Sequence, residues 1–555
     1  MKNLLFAFGI MAASALSALE IIEPAAKNGS LRLAVQELRH HLALVADDVP
    51  YRFVFAKPDD VKEVAPFESR YRVRDCTVWF WGDDGGASTV WDWGDDRGRE
   101  TQRRNGTLFA VELFGERELG LRYLWPGADG VAVTKPKTPI LSLPRHAEGR
   151  HVSTLVKARI RSYAQYHPFP WEQVKAYMPR ELYDAPRPTT HEERILWQRR
   201  NRLQDREYFT YGHAFTHWKD RFEKSHPEYL NLHIDAKTGE ATRGWTATQG
   251  RDRTKHCVSN EAVVDQILAD WCANGTNRFL NVCENDSGFW CECPACRTLD
   301  VPKEGEKPLT HVSDRYVNFW NRIAKKARAI RPDVQLVTYI YSDYRLPPRR
   351  EKIAYGENML CGFVFAEPED AMALINDWRK AGMRHFFFRP NYLHSIVTIH
   401  RGYERFFYNQ FHELLDAGMI GVDYDANDNR PMTTLEFYVL ARAFADPKAS
   451  FESIVADYYA GYGAAAADVK AYFEAVRQTG EAALEECRRL ARNPNSDFGG
   501  GGTLPRTEET GRNDPETRNH CQRSDAAGLS LFSERTPGKE LSSRFSSRAD
   551  SEENA

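Results

Sequence analysis

The feature that most constrains the fold of this chain is an alternation of strand-like and helical segments over residues 155–445. Apolar runs of strand length recur there, and helical stretches separate most of them. Such alternation is typical of a parallel sheet, because parallel neighbours need a long crossover connection. Eight strands in about 290 residues predict a (β/α)₈ TIM-type barrel. The predicted strands are 158–163, 208–211, 255–259, 278–283, 335–341, 359–365, 385–388 and 420–424.

Two alternatives to a regular barrel stay open. The second and third predicted strands have the weakest apolar patterns, so a distorted barrel is one alternative. An open, doubly wound sheet is the other. No glycine-rich phosphate loop follows any predicted strand, and this weakens a nucleotide-binding interpretation.

The rest of the chain predicts further segments, because 555 residues are too many for a single core. Lys2 and an apolar run ending in small residues resemble a signal peptide over 1–18, so we expect a secreted or periplasmic protein. Mixed strands and helices predict an α/β accessory domain over 19–145, ahead of a barrel at 150–447. A helical segment follows at 448–492. The polar tail at 493–555 is expected to be disordered, since it has little apolar surface to bury.

The composition excludes some partners and suggests another. A formal net charge of −3 argues against nucleic acid and anionic membranes, which favour basic surfaces. No run of about 20 apolar residues predicts a membrane span in the mature chain. Aromatic residues make up 12% of the chain and include 13 Trp and 24 Tyr. Flat rings suit a carbohydrate partner, although they also fill large cores.

Carboxylates follow several of the predicted strands, where a barrel carries its active site. Glycosidic cleavage needs two carboxyl groups, one to protonate the leaving oxygen and one to activate water or attack the sugar. The alternative is that these residues cap helices or form turns. We predict Glu284 as a general acid with a pKa raised by burial, Asp343 or Asp425 as its partner, and Asp286 as a further catalytic or orienting residue.

Other polar and aromatic residues near the strand ends predict contacts with substrate. Arg389 has two interpretations, a partner for the carboxylate of an acidic sugar or a partner for a barrel carboxylate. A lone histidine such as His213 is also compatible with a structural role. No cofactor is predicted. The predicted substrate-binding residues are His213, Trp218, Trp290, Tyr341, Arg389, Asn391, Tyr392 and Asp423.

Six of the ten cysteines lie between residues 257 and 296. Cys283, Cys291, Cys293 and Cys296 flank the same predicted strand end as Glu284. In an exported protein we favour disulfides that brace this loop over a zinc site of four thiolates.

Several motifs carry a resemblance to known families. The stretches GTLFA at 106–110 and LGLRYLWPG at 119–127 resemble the accessory domain that precedes the barrel in α-glucuronidases and β-hexosaminidases. The resemblance to the domain-of-unknown-function 4838 family covers residues 25–480. It rests on YGHAF at 211–215, HPEY at 226–229, CVSN at 257–260, ND at 285–286, CECPAC at 291–296 and RPNY at 389–392.

This resemblance implies a secreted bacterial protein close to the glycoside hydrolases. In related barrel glycosidases the general acid is a Glu at the end of strand four, a place that Glu284 matches. The Asp-Glu pair of hexosaminidases is absent, since Cys283 precedes Glu284. The leading hypothesis is a glycoside hydrolase acting on a polysaccharide fragment, with uronic-acid-containing glycans as one candidate. The alternatives are a non-catalytic carbohydrate-binding barrel and a metal-dependent hydrolase that uses the cysteines.

Overall fold

The computed structural model describes ten stretches of the chain: 19–24, 29–85, 104–162, 191–207, 209–246, 254–286, 289–365, 370–392, 402–426 and 434–491. The predicted signal peptide at 1–18 and the predicted tail at 493–555 lie outside them. Within these stretches, no helix is both long enough and apolar enough to cross a bilayer.

The N-terminal part contains a mixed five-stranded sheet with two helices. Its strands, in spatial order, are β1 (Glu20–Ile22), β3 (Arg52–Val54), β5 (Thr77–Gly82), β4 (Glu68–Arg74) and β9 (His146–Val152). β1, β3 and β5 run parallel, whereas β4 is antiparallel to both of its neighbours. The helices are α1 (Gly29–Val45) and α2 (Gly106–Phe114), and the remaining short strands are β2 (Ala46–Asp48), β6 (Leu121–Tyr123), β7 (Val131–Val133) and β8 (Thr138–Ile140).

Helix α2 is buried along its whole length against this sheet. The ring of Phe114 meets those of Phe53 and Phe80 edge to face, with centroids 6.3 Å and 5.3 Å away. At the start of the helix, a Cβ on Gly106 would lie 2.2 Å from the backbone nitrogen of Asp83. Glycine there lets helix and strand approach each other closely.

The second part contains a six-stranded, all-parallel sheet that curls into a half-barrel. Its spatial order is β10 (Lys157–Ser162), β17 (Gly421–Ala426), β16 (His385–Phe388), β15 (Met359–Phe363), β14 (Gln335–Ile340) and β13 (Phe279–Asn281). The first predicted strand pairs with the last, as in a closing barrel, through Lys157↔Gly421 to Ser162↔Ala426. All five residues of β15 are buried, as expected for a strand covered on both faces. The strand prediction is confirmed for these six strands.

The second predicted strand does not form among the described residues, which exclude Tyr208. Residues 209–211 make no ladder, and the backbone leaves the extended region at Gly212 (φ +82°) and His213 (φ +28°). The segment still lies over the sheet, because the ring of Phe209 is 5.1 Å from that of Phe279. The side chain of Asn281 also donates to the Gly212 carbonyl at 3.2 Å.

The third predicted strand, 255–259, is reduced to one isolated antiparallel bridge between His256 and Leu230. Its backbone bonds are directed to the loop before it: Asn231 N–H donates to the Lys255 carbonyl, and Cys257 N–H donates to the Tyr229 carbonyl. These bonds pair one edge of the segment with that loop, and the segment takes no place in the parallel sheet. The predicted eight-stranded barrel is therefore corrected to six parallel strands among the described residues.

The helices agree with the predicted alternation and continue beyond it. They are α3 (His191–Arg200), α4 (Trp218–Phe222), α5 (Glu261–Ala273), α6 (Pro294–Arg297), α7 (Ser313–Ile330), α8 (Met372–Lys380), α9 (Glu404–Asp416), α10 (Thr434–Ala445), α11 (Phe451–Ala460) and α12 (Ala466–Ala491). A hairpin of β11 (Leu232–Ile234) and β12 (Ala241–Arg243) lies between α4 and α5.

Buried ion pairs connect the N-terminal part to the remainder. Glu116, just after α2, binds Arg202 at 2.6 Å and also pairs with Arg442 of α10. Charge-assisted pairs of this kind hold two packed units in a defined register.

Candidate functional site

The first part of the candidate site is a buried carboxylate just beyond β13. Glu284 is 4% exposed. Its Oε1 lies 3.0 Å from His256 Nδ1 and accepts from Asn285 N–H at 2.9 Å. Its Oε2 accepts from the Tyr316 hydroxyl of α7 at 2.9 Å. Both carboxylate oxygens therefore have donors supplied by the protein.

These contacts determine the charge of Glu284. Burial by itself raises the pKa of a carboxyl group, but His256, the positive charge of Lys255 and the Asn285 N–H outweigh burial and lower the pKa of Glu284 to about 2. The sequence-based expectation of a raised pKa is wrong, because it considered burial and missed the neighbouring donors. Glu284 is ionised at neutral pH.

Lys255 brings three of the predicted carboxylates together. The side chain is 2% exposed. Its Nζ lies 4.1 Å from the Trp290 ring centroid and donates to the Asn285 carbonyl. Burial lowers the pKa of Lys255 to about 8, against the opposing charges of Glu284, Asp286 and Asp343. All three carboxylates therefore act electrostatically on one buried ammonium group.

Two of these carboxylates are only partly buried. Asp286 and Asp343 follow the adjacent strands β13 and β14, and both have intermediate exposure. The Tyr341 hydroxyl lies 3.4 Å from Asp286 Oδ1, and Trp290 Nε1 donates to Asp343 Oδ2 at 2.6 Å. Four predicted site residues thus meet at the carboxyl ends of two neighbouring strands.

A second cluster of polar side chains lies after β16 and along β17, in addition to the first cluster around Glu284 and Lys255. Asp423 binds Arg159 of β10, with Nη2 and Oδ2 2.9 Å apart. Arg389 donates to both Asp425 and Asn391. The sequence left two partners open for Arg389, an acidic sugar or a barrel carboxylate, and in the structure its partner is the barrel carboxylate Asp425. In these pairs a buried carboxylate binds a partly exposed arginine of a neighbouring segment.

Aromatic rings lie between the two polar clusters. The Tyr211 hydroxyl lies 3.4 Å from Arg159 Nη2, and the Tyr211 ring is 5.9 Å from that of Tyr339. The guanidinium of Arg389 lies 5.7 Å from the same Tyr339 ring. The Tyr339 ring also lies 6.4 Å from the Tyr341 ring, and this contact connects the Arg389 side of the sheet to the Asp286 side.

Three predicted substrate-binding residues lie elsewhere. His213 is exposed on the loop after residues 209–211. Trp218 is buried, with its ring 4.7 Å from that of His256. Tyr392 is buried and stacks on Phe407 at 5.6 Å. Trp218 and Tyr392 support the wall of the half-barrel rather than line its surface.

The cysteine prediction needs two corrections. Cys283 is apart from the other sulfurs: its Sγ contacts the Val337 carbonyl at 3.5 Å, and burial raises the pKa of its thiol to about 12. Cys257 takes its place beside Cys291, Cys293 and Cys296. No disulfide forms among the eight cysteines whose side chains the structure describes, and Cys257 Sγ lies 3.6 Å from Cys293 Sγ.

The comparisons with known proteins identify a family. The sequence model of the family described as "Domain of unknown function (DUF4838)" matches residues 132–474. The chain belongs to the DUF4838 family. No curated protein matches the sequence.

The DUF4838 chain also has distant structural similarity to glycoside hydrolases. CpGH89 from Clostridium perfringens, in complex with its substrate GlcNAc-alpha-1,4-galactose, is 10% identical with a TM-score of 0.38, covering 78% of this chain and 51% of that one. A GH138 enzyme targeting pectin rhamnogalacturonan II is 11% identical with a TM-score of 0.36, covering 85% and 56%. The DUF4838 chain spans about half the length of these proteins.

Sequence reasoning missed several residues of the site in this DUF4838 protein. Lys255 and His256 lie in the third predicted strand, and Arg159 lies in the first. A charged side chain inside a strand predicted to be buried was the available signal, because such a charge needs a partner. Tyr316 had no such signal, since it is one aromatic residue on an amphipathic helix.

Proposed function

We propose that this DUF4838 protein is a glycoside hydrolase that cleaves O-glycosidic bonds in a polysaccharide or oligosaccharide. One observation carries the proposal. Asp286 and Asp343 are two partly exposed carboxylates at the ends of adjacent parallel strands, and both interact with the buried Lys255. A pair of carboxyl groups at this edge of the sheet meets the chemical requirement of glycosidic cleavage.

The neighbours of the two carboxylates favour different roles. Trp290 Nε1 donates to Asp343 at 2.6 Å, which stabilises the ionised form needed by a base or nucleophile. The Tyr341 hydroxyl is 3.4 Å from Asp286, a weaker contact. We assign Asp343 as the base or nucleophile and Asp286 as the acid.

Glu284 takes a positioning role in this proposal. Its three donors and low pKa suit a permanent anion that orients His256 and tightens the turn before Asp286. A general acid must instead hold a proton near neutral pH. This assignment replaces the sequence hypothesis in which Glu284 protonates the leaving group.

The test is release of reducing sugar from a panel of plant, algal and host glycans. Asp286→Asn and Asp343→Asn should each lower turnover by about 10²–10⁴-fold on a cleaved glycan. Asp377→Asn, a change at an exposed aspartate of α8 that pairs with Lys380, is the matched control and should keep wild-type turnover. Full activity in both site variants would refute the assignment.

A second candidate is a non-catalytic carbohydrate-binding protein. It is favoured by the ionised Glu284, whose donors stabilise its charged form, because the sequence resemblance implies that an enzyme would carry its acid at this residue. Calorimetry on the same glycans separates the two functions. Binding without product, weakened by Asp286→Asn, would support the binder.

Uronic-acid glycans and an extracellular location are proposed on sequence grounds. Arg389 is engaged with Asp425, so the acidic-sugar proposal rests on the family resemblance. The location rests on residues 1–18. Comparing release from uronic-acid glycans with release from their carboxyl-reduced forms tests the first. The N-terminal mass of the exported protein tests the second.

A further inference from the structure

Four cysteine sulfurs converge at the edge of the candidate site. The Sγ atoms of Cys257, Cys291, Cys293 and Cys296 all lie within 4.8 Å of one another. Cys257 Sγ is 3.6 Å from Cys293 Sγ and 3.9 Å from Cys296 Sγ. Four thiolates around a tetrahedral Zn²⁺ at about 2.3 Å lie about 3.8 Å apart. Two of the sulfur–sulfur separations thus match those of a zinc site, and all four sulfurs lie within about 1 Å of that spacing.

We propose that Cys257, Cys291, Cys293 and Cys296 bind one structural Zn²⁺ ion. All four residues are buried. Four protein ligands leave no open position for water or substrate, which distinguishes a structural zinc site from a catalytic one. Sulfur-only ligands exclude Mg²⁺ and Ca²⁺, which prefer oxygen. Binding converts the four thiols to thiolates and releases their protons to solvent.

The surroundings suit the charge of such a centre. One Zn²⁺ and four thiolates carry a net charge of −2. Leu232 N–H lies 3.3 Å from Cys291 Sγ, and Cys296 N–H lies 3.4 Å from Cys293 Sγ. The guanidinium of Arg315, which is paired with Asp300, donates to the Cys291 carbonyl at 2.8 Å and so fixes the backbone of this ligand. The two N–H groups directed at sulfur orient and stabilise thiolate ligands.

A disulfide framework does not fit this arrangement. A disulfide needs sulfurs about 2.05 Å apart, far closer than the 3.6 and 3.9 Å that separate Cys257 Sγ from Cys293 Sγ and Cys296 Sγ. Two disulfides would also have to pair the sulfurs of this quartet two by two. A tetrahedral ion instead uses all four sulfurs at once.

The ion would connect two segments that carry the candidate site. Cys257 directly follows Lys255 and His256, whereas Cys291 directly follows Trp290. Among the described residues between β13 and α6, which exclude 287 and 288, none lies in a strand, so no strand pairing joins these two segments. The zinc ion would therefore hold these two segments together in place of the backbone pairing that the predicted third strand lacks. The inference does not depend on glycoside hydrolysis.

The test begins with the metal content of the full chain. The protein is produced with zinc in the medium and purified without metal-affinity chromatography, and its metals are measured by plasma mass spectrometry. We expect about one zinc per chain. The same chain produced with cobalt should show the intense visible bands of tetrahedral Co²⁺ and a sulfur-to-cobalt charge-transfer band.

Matched variants locate the ion. Cys257→Ser should lose most of the bound zinc. Cys361→Ser removes another buried thiol, in β15, and Cys272→Ser removes an exposed one; both should keep it. If Cys257→Ser does not fold, the wild-type stoichiometry and cobalt spectrum decide alone. Metal-free protein with four alkylatable thiols, two disulfides found by peptide mapping, or iron in place of zinc would each overturn the proposal.

Discussion

Replacing Glu284 with glutamine is predicted to destabilise the fold in a pH-dependent way. The carboxylate accepts from His256, Tyr316 and the Asn285 N–H. Glutamine offers a single acceptor oxygen and a donating amide. At least one of the three donors then faces another donor in a site closed to water.

The magnitude follows from the pKa. The difference between the ordinary value of 4.5 and the folded value of about 2 corresponds to about 3 kcal/mol at neutral pH. Because the folded pKa is the lower one, this stability is fully present above about pH 4.5. It is lost as the pH falls through about 2. At pH 3 about 1 kcal/mol of it should remain.

The assay is urea unfolding of the wild type and Glu284→Gln at pH 7 and pH 3, followed by tryptophan fluorescence. The free-energy difference should shrink from about 3 to about 1 kcal/mol. Glu304→Gln, at an exposed position, is the control and should stay within about 0.5 kcal/mol of wild type. An equal loss at both pH values would show that the charge of Glu284 is not the cause. No loss at pH 7 would show that the anion is not stabilised.

Two further predictions concern other buried charges. Burial raises the pKa of Glu112 well above its ordinary range, so Glu112→Gln should lower the free energy of unfolding by less than about 1 kcal/mol. Glu37→Gln leaves Arg200 without its carboxylate partner and should lower it by about 3–5 kcal/mol, as measured by denaturant unfolding. Burial lowers the pKa of Lys255 to about 8, so wild type should gain stability over Lys255→Met as the pH rises from about 8 to about 10.5. A pH-independent difference between these two proteins would contradict the latter prediction.

Much of the fold was predictable because its signals are local. β15 is a continuous apolar run, and α7 has apolar residues at helical spacing, so each element is encoded by its own residues. The strand-end position of Asp286 and Asp343 followed from the parallel topology. Residues 209–211 and 255–259 failed as strands, because pairing depends on backbone partners elsewhere, such as Tyr229 for Cys257.

The details of the site depended on contacts between distant parts of the chain. The sequence by itself determined that Glu284 follows a strand, and burial alone predicted a raised pKa. Only the tertiary structure brought His256 and Tyr316, 28 and 32 residues away, onto its oxygens and reversed that direction. Likewise, the spacing of Cys291, Cys293 and Cys296 is local. The packing of two loops decided which cysteine is their fourth neighbour. It placed Cys257 beside them and Cys283 against the sheet. Proximity in space, which the spacing along the sequence does not give, determines which sulfurs meet.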